Sequence, residues 1–202
     1  MRHVAVLVVL FAGCSRESSP ASDPAPAATA TATATATASA KPSAPTQLIT
    51  PSKGIGPITI GMALAAVERE LGPCTTMKQD GKKRVCFYPH RGLEVALVDN
   101  DVTRVAAHRG GRAVPGKDFV DLTFTGFAGA TVEGVKPGMT KVDAEAKLGP
   151  PKSSGRPAGE AVSKDGVRRV AVLDYPGLSL EVEMAGAELV IGAIHVPKGD
   201  AN

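Results

Sequence analysis

Residues 61–73 read GMALAAVERELGP, and residues 138–150 read GMTKVDAEAKLGP. In both, eight residues separate Gly-Met from Leu-Gly-Pro, and self-similarity at fixed spacing marks a duplicated structural unit. Each copy has the local chemistry of one short helix. Thr140 places a capping hydroxyl three residues before the carboxylate of Asp143, and Gly149-Pro150 supply a left-handed stop and a breaker. That spacing predicts a helix near residues 140–148. The first copy predicts the same from about Ala63 to Leu71, with Leu64, Val67 and Leu71 at i, i+3 and i+7 as its buried stripe.

Working outward, apolar approaches precede each helix at 58–60 and 132–135, and strands follow it. Leu178, Leu180, Val182 and Met184 alternate with Ser179, Glu181 and Glu183, the pattern of a half-buried antiparallel strand. Leu93, Val95 and Leu97 line the matching face in the first copy. Asp99-Asn100-Asp101 turns the chain into a strand from Val102 to His108, and Ala185-Gly186-Ala187 does so before Leu189 to Val196. An earlier strand, Val85 to Tyr88 or Val167 to Tyr175, completes a three-stranded meander in each copy. Further landmarks pair: Tyr88-Pro89 with Tyr175-Pro176, Gly92-Leu93 with Gly177-Leu178, and His108 with His195. The fold expected is α+β, two tandem units at 47–113 and 114–202, each a short helical segment packed on a small antiparallel sheet. The second unit includes the connection between the copies.

Upstream, Met1-Arg2-His3 and the apolar run Val4 to Ala12 have the form of an export signal. The run is too short to span a bilayer as a helix. Its end, Phe11-Ala12-Gly13-Cys14, resembles the lipobox of bacterial lipoproteins. That resemblance implies a signal peptide at 1–13, removed to leave Cys14 lipidated, and Ser15 after the cysteine implies an outer-membrane anchor. The other reading of Cys14 is an ordinary cysteine near an ordinary cleavage site. Residues 15–46 are almost all Ser, Pro, Ala and Thr, with Ala and Thr alternating from Ala28 to Ala38. Such a segment lacks apolar mass to offset the entropy of ordering, so 14–46 is expected to be a disordered tether. It reaches about 30 Å as a flexible coil and about 100 Å if extended.

From Gln47 onward the chain carries 20 basic and 18 acidic side chains. This balance speaks against nucleic acid as partner, which needs a concentrated positive surface. The sequence has no tryptophan and two tyrosines, so an aromatic hot-spot surface is not expected. No Gly-x-Ser-x-Gly, His-Glu-x-x-His or phosphate loop occurs, so no catalytic residue and no cofactor is assigned. No metal site is assigned either, because His90, His108 and His195 lack ligand spacing. Cys74 and Cys86 form an even pair in an oxidising compartment, and a disulfide is the default over a metal site or free thiols. Two basic loops stand at matching places, one with Lys82-Lys83-Arg84 and one from Lys152 to Arg169. They are either solvated charge or a rim for an anionic partner. Phe119, Phe124 and Phe127 lie in the connection, where they either cement the two units or form a binding patch.

The Gly-Met-x8-Leu-Gly-Pro motif, followed by a Tyr-ended strand, a Gly-Leu strand and a Val-rich strand, resembles the BamE/SmpA family of small outer-membrane lipoproteins. Doubled in tandem, it is similar to the β-lactamase inhibitor proteins, whose two repeats set helical segments against antiparallel sheet. The similarity covers about 55–108 and 132–196. It implies a disulfide from the post-helix loop to the first strand, which falls here on Cys74 and Cys86; the second copy has Pro151 and Leu173 at those places. It also implies a binding role. The function expected is a lipid-anchored envelope protein acting as a non-catalytic protein-binding or scaffold module, its partner an envelope or extracytoplasmic protein. An anchored inhibitor of an extracytoplasmic enzyme is the alternative, and an unrecognised enzyme the third.

Overall fold

Alternating apolar residues after each helix set the architecture. The computed structural model describes residues 47–115, 122–155 and 168–199. In chain order the elements are β1 (Leu48–Thr50), β2 (Gly54–Ile55), β3 (Ile58–Thr59), α1 (Leu64–Leu71), β4 (Thr76–Asp80), β5 (Lys83–Tyr88), a 3-10 turn (Pro89–Arg91), β6 (Leu93–Val98) and β7 (Asp101–His108). The second copy supplies β8 (Ala130–Thr131), α2 (Lys141–Leu148), β9 (Ser153–Gly155), β10 (Arg168–Tyr175), β11 (Leu178–Ala185) and β12 (Glu188–Pro197).

Strands β4 to β7 and β9 to β12 are antiparallel meanders, and their last strands, β7 and β12, pair edge to edge. The product is one eight-stranded sheet in the order β4-β5-β6-β7-β12-β11-β10-β9. Its apolar face fixes the register. Val105 lies opposite Val196 and Ala107 opposite Ile194, and all four join Leu93, Val95, Leu97, Leu178, Leu180, Val182 and Ile191 in a single buried core. A one-residue slip would turn that whole set to the other face.

Both helices form where the sequence places them, α1 without a side-chain cap at Ala63 and α2 with one. The Thr140 hydroxyl accepts from Asp143 N–H at 3.1 Å, and Gly72 and Gly149 end the helices at φ 92° and 77°. Val67 and Leu71 of α1 and Ala144 of α2 enter the core. Each helix start is stitched to the last strand of its own copy. Gly61 N–H donates to Val102 O at 2.7 Å, and Gly138 N–H donates to Ile191 O at 2.7 Å. These bonds match Val102 to Ile191, so His195 takes the place of Ala106 rather than of His108. The pairing of the two histidines as equivalent positions is corrected accordingly: the β11–β12 hairpin has longer arms than β6–β7 and shifts the register by two.

The segments leading into the helices form a second sheet, in the order β3-β2-β1-β8, with β1 and β8 parallel. They are exchanged between copies. Ser52, ahead of the first helix, donates N–H to Gly177 O in the β10–β11 turn at 2.8 Å. Gly92, in the β5–β6 turn, packs so closely on Thr125 and Phe127 that a Cβ there would collide with their backbone.

The expected α+β class is therefore corrected. The described residues are mostly strand, with two helices of eight residues each, and the copies share one sheet instead of each closing its own. A three-stranded meander would leave β7 and β12 as long apolar edges, and an edge of that kind is stable only when paired or covered. Residues 1–46 with Cys14 and the tether, Phe119, and residues 156–167 of the second basic loop lie outside the described residues.

Cys74 and Cys86 form a disulfide with Cα atoms 5.6 Å apart, tying the loop after α1 to β5. Closing a loop with a sequence separation of 12 removes unfolded-state entropy worth about 3 kcal/mol. Replacing both cysteines with alanine is expected to lower the unfolding free energy by about that amount in a urea titration. A loss under about 0.5 kcal/mol would show that the bridge does not constrain the unfolded chain.

Candidate functional site

Ionisable side chains gather on the sheet face opposite the helices, across the β7–β12 junction. Glu94, Ala106 and His195 lie in one cross-strand row, and Glu181, Ala193 and His108 lie in the neighbouring row. The buried alanines leave room for the larger groups beside them. Two diagonal pairs result: His108 Nε2 stands 3.3 Å from Glu94 Oε2, and His195 Nε2 stands 3.3 Å from Glu181 Oε2. The two imidazoles are 6.4 Å apart and nearly perpendicular.

The connection leaving β7 folds over this face as two arms. Gly111 N–H donates to Phe124 O at 2.9 Å, Phe124 N–H to Arg112 O at 2.7 Å, and Val114 N–H to Leu122 O at 2.8 Å. The arms are held down by charge and by stacking. Arg109 Nε donates to Glu183, Arg112 Nη2 donates to Glu181, and Arg112 Nε lies 3.7 Å from Glu183 Oε2. The ring of Phe124 stacks on His108 at 4.1 Å and meets the edge of Phe87 at 6.4 Å. Arg112 and Glu183 are buried, at 3% and 0% exposure. Gly192 makes room for the Glu183 carboxylate, into which a Cβ at that position would run.

Burial works against a charged Glu94, but hydrogen bonding and charge from His108, with Arg104 and His195, outweigh it and hold the carboxyl down to about 2. His108 is pushed down to about 4, chiefly by burial, with Arg112 and His195 adding to the effect and Glu94 opposing it. An imidazole so depressed is neutral at pH 7, so at that pH Arg104, in contact with Glu94, supplies the countercharge. The two groups titrate as a coupled pair.

Chemically the cluster is a clamp. Its carboxylates meet guanidinium groups or imidazoles, and the arms that supply Arg109 and Arg112 cover it. Among the described residues no cluster of His, Cys, Asp or Glu has metal-holding geometry. A scan against protein-family models and searches of curated proteins and solved structures each found no match.

The residues singled out from sequence are dispersed. Lys82 and Lys83 are exposed on the β4–β5 hairpin and Arg84 is half-buried beside them; Lys82 Nζ sits 3.0 Å from Asp99. Phe124 and Phe127 are both buried, but in separate clusters, the first with Phe87 and Val114 and the second in the main core. Neither ring contributes to an exposed patch. Glu94, Arg109, Arg112, Glu181 and Glu183 were missed as site residues because alternation assigns Glu94, Glu181 and Glu183 to a solvated strand face. The density of Arg and His from Arg104 to Arg112 was the available signal.

Replacing Arg112 with leucine takes one cation from buried Glu183 and from half-buried Glu181 and is expected to cost about 3 kcal/mol by chemical denaturation at pH 7. A loss below about 1 kcal/mol would mean that solvent reaches Glu183. Glu94 also predicts an acid limit. Its folded pKa lies below the ordinary 4.5, so its contribution is complete above pH 4.5 and is lost as pH falls towards about 2. Scanning calorimetry in that window is expected to show a smaller drop in Tm for Glu94→Gln than for the parent chain; equal slopes would contradict the assignment.

Proposed function

We propose that this chain is a lipid-anchored envelope protein, held at the outer membrane through Cys14, whose domain is a non-catalytic protein-binding module. The observation that carries the reading is the fate of the ionisable side chains. Glu94, His108, Arg112, Glu181, Glu183 and His195 hold one another and hold the connecting arms to the sheet. Their bonding capacity is directed inward, so the domain offers surface more than a reactive cleft. Lys78, Lys82 and Lys83 stand exposed on the β4–β5 hairpin, and the Cys74–Cys86 disulfide anchors its base. A rigid cationic hairpin suits an acidic stretch on an envelope or extracytoplasmic protein, where charge complementarity steers encounter.

Cross-linking in intact cells, followed by mass spectrometry of the captured material, is expected to return one stoichiometric envelope protein cross-linked through Lys78, Lys82 or Lys83. Reversing charge with Lys82→Glu and Lys83→Glu should reduce its recovery several-fold, more so at low salt. Absence of any protein partner would contradict the reading, and a soluble hydrolase in a one-to-one complex would make the chain an anchored inhibitor. Cys14→Ala is expected to move the chain out of the membrane fraction, and retention there would remove the lipid anchor from the account.

A further inference from the structure

We propose that the two arms 109–115 and 122–127 form a latch on the outer face of the eight-stranded sheet, released by acid, with His108 as its sensor. The inference goes beyond the binding reading and does not depend on it. The geometry fixes the tautomer of His108. The Arg112 guanidinium can only donate, and its Nη1 lies 3.3 Å from His108 Nδ1, so Nδ1 carries a lone pair and the proton resides on Nε2, facing Glu94 at 3.3 Å. A second proton has to enter at Nδ1. It would abolish the acceptor for Arg112 and set imidazolium against guanidinium in a site shielded from water.

Arg112 also ties the arms to Glu181 and, together with Arg109, to Glu183. Repulsion at Nδ1 therefore acts on the latch at its fastening. Every element around His108 contributes a charged or titratable group. Glu94 comes from β6, with Arg104 of β7 behind it; His195 comes from β12; Glu181 and Glu183 of β11 reach it through Arg112; Arg109 and Arg112 come from the arm itself. Burial, Arg112 and His195 oppose the added proton, whereas Glu94 favours it. Lifting the arms exposes Nδ1 to water and takes the opposing cation away. It also uncovers the apolar cluster of Val85, Phe87, Val114 and Phe124.

The sign and size follow from linkage. His108 is held at about 4 in the latched state against an ordinary 6.5, so the open state binds more protons between those limits. Latching is complete above pH 6.5 and weakens as pH falls towards 4, the opening constant rising roughly thirty-fold between pH 7.5 and 5. Glu94 is mostly ionised at pH 5 whether latched or open, so the histidine dominates the response at that pH.

Hydrogen exchange followed by mass spectrometry on the full chain at pH 7.5 and 5, corrected for intrinsic rates, tests the proposal. Peptides containing Gly111, Val114 and Phe124 are expected to lose protection by roughly thirty-fold while β7 and β12 hold theirs. Unchanged arm protection at pH 5, or loss in step with β7 and β12, would overturn it. His108→Asn keeps an acceptor for Arg112 but cannot titrate, and should abolish the pH response; a persistent response places the sensor elsewhere and sinks the assignment. Should that variant fold poorly, Arg112→Gln keeps a donor and removes the cation. Its arms should be looser at both pH values, with the pH response reduced but retained because burial of His108 persists, and an undiminished response would likewise overturn the proposal.

Discussion

The antiparallel pairing of β7 with β12 is the constraint on which the rest of the molecule depends. Both strands are long and largely buried, eight and ten residues respectively. Left as sheet edges they would template aggregation. Paired with each other they vanish into the middle of one sheet, and the outer edges become β4 and β9, of five and three residues. Lys78 and Asp80 on β4 are exposed, as suits an edge that must stay soluble. The reciprocal exchange of leading segments follows the same logic, since each copy covers a turn that the other leaves open.

The ionisable cluster is a consequence of that junction. His108 comes from the first copy and His195 from the second, Glu94 flanks one side and Glu181 the other, and the connecting arms arrive from between the copies. Neither copy contains these groups alone. The cluster also bears hard on stability, because a buried ion network with one partner missing is worse than none. Glu183 links the two sides of that network, its carboxylate occupying the space Gly192 leaves and facing Arg112.

Much of the local structure was legible. Thr140 with Asp143 and the Leu-Gly-Pro ends located both helices, period-two alternation located β6 and β11, and the turns that follow these located β7 and β12, because these signals depend on neighbours within a few residues. The assembly of the two copies was not. Alternation tells which face of a strand is apolar but not which strand lies beside it, so one shared sheet and two separate sheets read identically. The same blindness hid the site: Glu94, Glu181 and Glu183 alternate like solvated residues, and only the tertiary course of the arms turns them inward. Phe124 and Phe127, three residues apart in the connection, gave no sign that they belong to different clusters.

If the copies are one sheet, the domain has one cooperative unit. Differential scanning calorimetry of the full chain, comparing the calorimetric with the van't Hoff enthalpy, tests this most directly. A single transition with a ratio near one is the predicted result. Two resolved transitions, or a calorimetric enthalpy about twice the van't Hoff value, would contradict the account and return the molecule to two independently folded halves.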